Sequence, residues 1–109
     1  MVDIVMLRRQ AVLAGSAWVA EHAIPSSMLD AAIKKYAASA RADIVAGCYD
    51  RSSRFLKMDR TSLIAALEAD TREAIDGGVE EKIEFLLDYA IGSLEPSRFI
   101  ARLEDVVRR

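Results

Sequence analysis

A single histidine and a single cysteine leave little from which a reactive centre could be built. Any Ser-His-Asp or Cys-His arrangement would depend on His22, which stands near the end of the first expected helix. There a cation complements the helix dipole, and a capping role is the simpler reading. Cys48 cannot form an internal disulfide, which favours a reducing, cytoplasmic setting, and as a lone thiol it is expected to be buried. A zinc site would need carboxylates around one His and one Cys, and the spacing of neither supports it. The chain also has only two prolines and five glycines, so few residues interrupt regular structure.

Positive charge is not in excess. Seventeen acidic residues against 15 basic ones give a net charge of -2, so the chain as a whole lacks the field that nucleic-acid binding usually needs. No apolar run approaches the ~20 residues of a membrane span. The opening stretch MLRRQAVLAGSAWVA places Arg8 and Arg9 before an apolar run, as a secretion signal would. Gly15, Ser16 and Trp18 interrupt that run, and no small-x-small cleavage site precedes an evident mature start. Gly77-Gly78 has none of the Lys or Ser/Thr placement of a phosphate loop, and a helix stop explains it. Glu81 and Glu84 have the Glu-x-x-Glu spacing of a carboxylate metal set but no accompanying Glu-x-x-His. A non-catalytic protein without metal or cofactor is therefore expected.

What the 109 residues do contain is helical patterning from end to end, with 52% apolar residues, enough for one core in one domain. The spacing predicts an all-α single-domain bundle of about five helices over 1–109. Asp3 caps the first helix, which buries Ile4, Leu7, Ala11, Ala14 and Trp18 and ends before Pro25. Ser27 and Asp30 have the form of a capping box for the second, with Leu29, Ile33, Tyr36, Ala40 and Ile44 inward and Ala31, Ala38 and Ala42 on the opposite face. Gly47 stops it. After the basic segment CYDRSSRFLKMDR, where Ser52 or Ser53 could start a short helix, Asp59 or Thr61 caps a third helix with Ile64, Leu67, Thr71, Ala74 and Ile75 inward. A fourth is expected from Val79 to Ile91. Gly92 then turns the chain, Leu94 plugs the corner, and Pro96 opens a last helix whose Phe99, Ile100, Leu103, Val106 and Val107 are buried.

Charge is segregated along this pattern. From Lys34 to Arg60 seven bases face three acids, giving +4, whereas from Thr61 to Glu95 nine acids face two bases, giving -7. Projected at 100° per residue, Val79, Ile83, Leu86 and Ala90 centre on the core side of the fourth helix, and Glu81, Glu84 and Asp88 fall on the reverse. Phe85 and Tyr89 lie on the flank beside them, and Glu73 and Asp76 project outward from the preceding helix. Aromatic anchors bordered by carboxylates suit a basic protein surface, although the same pattern also describes a solvated acidic face with two wide-stripe core rings. The basic segment, with Tyr49 and Phe55 among its cations, raises a small nucleic-acid-binding regulator as an alternative without a base-reading motif. The alanine-rich face of the second helix raises a self-associating adaptor, a homodimer.

The stretch LLDYAIGSLEPSRFIARL, through Leu86, Leu87, Tyr89, Gly92, Leu94 and Phe99, resembles a segment of small all-helical bacterial immunity proteins of the colicin D type and related contact-dependent inhibition immunities. In that family the segment is scaffold. The resemblance implies an all-helical cytoplasmic protein that binds and silences a cognate toxin, often a nuclease. Separately, the charge pattern suits occlusion, since a ribonuclease must present a basic surface to hold phosphate and an acidic helix face can occupy it. The residues expected to do so here are Glu73, Asp76, Glu81, Glu84 and Asp88 for charge, with Phe85 and Tyr89 as anchors.

Overall fold

Side-chain capping sets two of the five helix starts among the described residues. In the computed structural model, which describes residues 3–48 and 58–108, the Asp3 side chain accepts hydrogen bonds from the Val5 and Met6 N–H groups at 3.0 and 3.3 Å and opens α1 (Ile4–Glu21). Asp59 accepts from the Ser62 N–H at 2.7 Å and opens α3 (Arg60–Asp76). That backbone bond and the Ser62 side chain favour the carboxylate and hold the Asp59 carboxyl below its ordinary range. α2 (Ser26–Ala46) starts differently from expectation. Its N-cap is Pro25, no side chain caps it, and the Ser27–Asp30 capping box does not form, because Ser27 already lies inside the first turn; Asp30 pairs with Lys82 instead.

Gly78 precedes α4 (Val79–Leu86), which continues into one π-helical turn, Leu87–Ile91. Gly92, at φ 66°, ends it with its N–H on the Leu87 carbonyl at 3.0 Å, a left-handed conformation natural to glycine. Leu94 is half-buried at the corner, and Pro96 occupies the first turn of α5 (Pro96–Val107). The joint is thus a capped helix corner, as its residues suggested. The described residues form five helices and no strand, and none of these helices is long and apolar enough to cross a membrane.

α4 lies at the centre, packed against α1, α2 and α3, while α1 also pairs with α5 and α2 with α3. The resulting slab measures 38 × 37 × 22 Å. Its core includes Leu29 and Ile33 from α2, Leu67 from α3, Ile83 and Leu86 from α4, and Phe99 and Leu103 from α5. From α1 it takes Ala11, Val12, Gly15, Trp18 and Val19. Ile4, expected inside, is 62% exposed, because the first turn of α1 overhangs the packed surface, with Val5 and Met6 exposed beside it. Cys48 is exposed rather than buried, since it follows the Gly47 terminus of α2 and belongs to no packed face. His22 stacks on Trp18 with ring centroids 4.8 Å apart, and its Nδ1 is 3.0 Å from the Trp18 carbonyl at the end of α1.

Among the described residues, one buried side-chain polar atom has no partner, the Ser16 hydroxyl. A desolvated hydroxyl without a hydrogen bond costs about 1 kcal/mol or more, and alanine is also the better helix former. Ser16→Ala is therefore expected to raise the unfolding free energy by about 1 kcal/mol in a denaturant titration. A loss of stability would show that the hydroxyl has a partner after all.

Candidate protein-binding face

The acidic surface is assembled at the joint between α3 and α4. Gly77 has no Cβ, and one placed there would lie 2.7 Å from the Glu73 carbonyl and 2.9 Å from the Glu81 Cβ. The first turn of α4 can therefore fold tightly over the last turn of α3. This brings Glu73 and Asp76 together with Glu81 and Glu84 around an open groove of about 840 Å³, whose lining also includes Ala69, Arg72 and Gly77. All four carboxylate residues are exposed. Glu80 and Glu81 also sit in the first turn of α4, where negative charge complements the helix dipole, so part of this charge serves the helix itself.

The other three residues expected on this face are not available to a partner. Phe85 is 3% and Tyr89 9% exposed, their rings packed on each other with centroids 4.9 Å apart. The Tyr89 hydroxyl donates to Asp70 Oδ2 at 2.6 Å. The Asp88 side chain is 7% exposed and pairs with Arg8 of α1 at 2.6 Å. The packing of α4 accounts for this correction. A helix with neighbours on three sides buries more than one stripe, so the flank carrying Phe85 and Tyr89 is interior along with the stripe carrying Ile83 and Leu86, and Asp88 meets Arg8 of α1. These three residues form the floor beneath the exposed carboxylates. A small cavity of about 110 Å³ separates the two layers, lined by Asp70, Glu73, Glu81 and Glu84 together with Phe85, Asp88 and Tyr89.

Lys82 was not anticipated at all. It is 3% exposed, and its Nζ donates to Asp30 Oδ1 at 2.6 Å and to the Ala74 and Ile75 carbonyls at 3.0 and 2.9 Å. The ammonium thereby caps the C-terminal end of α3, where carbonyls lack helical partners and positive charge is favourable. The signal for it was Lys82, Phe85 and Tyr89 at i, i+3 and i+7, a second inward stripe on α4. Arg8 falls likewise among the inward positions of α1, which calls for a buried acid, here Asp88.

The basic segment divides. Lys34, Lys35 and Arg60 are exposed, and Arg41 pairs with Glu68 across α2 and α3, so one of its cations is answered by the acidic half of the chain. Tyr49, Arg51, Arg54, Phe55 and Lys57, and the short helix expected after Ser52 or Ser53, lie outside the described residues. Among the described residues no three His, Cys, Asp or Glu side chains are grouped to hold a metal ion. The chain matches no family model, no curated protein and no solved structure.

Proposed function

We propose that this protein is a non-catalytic binding module that docks the acidic groove between α3 and α4 on a basic protein surface, and that its partner is a cognate bacterial toxin domain, a nuclease, which it silences by occlusion. The observation that carries this reading is the set of exposed carboxylates, Glu73, Asp76, Glu81 and Glu84, arranged around one open groove. A nuclease must hold phosphate on a cationic surface, and an acidic face of matching extent competes for it while steering the encounter. With Phe85 and Tyr89 inside the protein, affinity has to come from charge and from shape at the groove rather than from aromatic anchors. Strong dependence on ionic strength follows. The setting that fits this role is the cytoplasm, where such a toxin would meet its target.

Co-expression tests the reading. The neighbouring reading frame is expected to encode a large protein whose C-terminal domain stops growth when expressed alone and is tolerated when this chain is present. Normal growth without this chain would remove the toxin partner from the account.

A further inference from the structure

α1 is apolar on two sides. Its inward face packs on α4 and α5, yet its outward side carries Arg9, Leu13, Ala17 and Glu21 in a single row at i+4 spacing, every one of them exposed. Leu13 is 50% exposed, and Met6, two turns before it on the same side, is 59% exposed. Among the described residues neither Arg9 nor Glu21 has an ion-pair partner. A helix with apolar residues on both sides ordinarily has a neighbour on both sides.

We propose that the outward neighbour of α1 is α1 of a second copy of this chain, in an antiparallel, two-fold symmetric contact. The order of the row selects this occupant. Rows at i+4 spacing from two helices lie alongside each other when the helices cross at about 50°. A two-fold axis level with the midpoint between Leu13 and Ala17 then sets Leu13 beside Ala17 of the second copy, large against small, and Arg9 beside Glu21 of the second copy. Each pairing occurs twice, as an isologous contact requires. A parallel arrangement would instead set Arg9 against Arg9 and Glu21 against Glu21, so charge chooses the antiparallel one. The exposed alanine face of α2, with Ala31, Ala38 and Ala42, has Lys34 and Lys35 at its border and offers no such complementarity. A contact made by one helix of 18 residues, about 27 Å long, is smaller than a standard interface of about 800 Å² per partner. The dimer is therefore expected to be weak and reversible.

Sedimentation equilibrium from micromolar to near-millimolar concentration reads the outcome directly. The expected result is a monomer–dimer equilibrium that Leu13→Lys abolishes without loss of helicity, the site being exposed. Arg9→Glu and Glu21→Arg are each expected to weaken the dimer about tenfold, and the double exchange Arg9→Glu/Glu21→Arg to restore it. A chain that stays monomeric throughout, or a dimer indifferent to both Leu13→Lys and the charge exchange, overturns the proposal. So does a dimer lost with Ala38→Lys and kept with Leu13→Lys, which would place the contact on α2. The row shares no residue with the α3/α4 groove, so either result leaves the reading of that groove where it stands.

Discussion

Lys82→Ala is expected to lower the unfolding free energy by about 3–5 kcal/mol, the cost of removing one partner from a buried, hydrogen-bonded charge pair. The lower end of that range is the better guide, because the Asp30 side chain is 30% exposed and water can partly replace the ammonium there. Water is least able to do the same at the Ala74 carbonyl, whose bond to Lys82 is buried, and has partial access at Ile75. Lys82→Met, which keeps the apolar stem and removes only the charge, should recover the packing part of the loss and leave the unsatisfied carbonyls. A domain of this size has roughly 5–15 kcal/mol of stability in total, so about 3 kcal/mol corresponds to a melting temperature lower by on the order of 15 °C. Thermal unfolding followed by circular dichroism checks this. A Lys82→Ala chain that melts with the wild type would mean that the three bonds contribute nothing net.

Phe99→Ala is expected to be comparably severe, about 3–5 kcal/mol, because Phe99 is fully buried between α1 and α4 and its removal opens a cavity that rigid neighbours cannot close. The partner of that ring is an absence. Gly15 lies inside α1, where glycine costs about 1 kcal/mol relative to alanine, and a Cβ at that position would lie 2.8 Å from Phe99 Cε1 and 2.9 Å from Ile83 Cγ2. The glycine is there because helices α1, α4 and α5 approach through it. Gly15→Ala alone should therefore destabilise by about 1–3 kcal/mol despite its better helix propensity. In the Phe99→Ala background the added methyl has space on one side, and the same substitution should cost less by on the order of 1 kcal/mol. Strictly additive effects in that double-mutant cycle would contradict the close approach.

Features set by neighbours in sequence were legible before any coordinates. Asp3 and Asp59 cap the next turn of their own helices, Gly47 and Gly92 take up left-handed backbone where a helix ends, and Pro96 opens α5. Features set by distant segments were not. Asp30 has two uses in principle, and the local one, closing a box with Ser27, loses to an ammonium 52 residues away. Phe85 and Tyr89 read as a flank because a helical wheel assumes one core direction, whereas α4 has three. Asp88 is held by Arg8 of α1, a partner far away in the sequence that no pattern within α4 reports. Of the seven residues expected on the acidic face, the four that remain exposed, Glu73, Asp76, Glu81 and Glu84, sit on turns beside the glycine joint, where no third helix covers them.

That division also changes which substitutions can test binding. Asp88→Lys would break the Arg8 pair inside the protein, so a lost interaction could not be told from a damaged fold. Glu81→Lys and Glu84→Lys change exposed side chains of the groove and break no ion pair among the described residues; the lost helix-dipole complement at Glu81 is small and is checked by the circular dichroism spectrum. Isothermal titration of the wild-type chain and of the Glu81→Lys/Glu84→Lys chain against the toxin domain encoded beside it measures the central claim most directly. The expected result is a loss of affinity of about 100-fold or more at low salt, with the circular dichroism spectrum unchanged. Undiminished affinity in the doubly reversed chain would mean that the α3/α4 carboxylates are solvated surface and that the partner binds somewhere else.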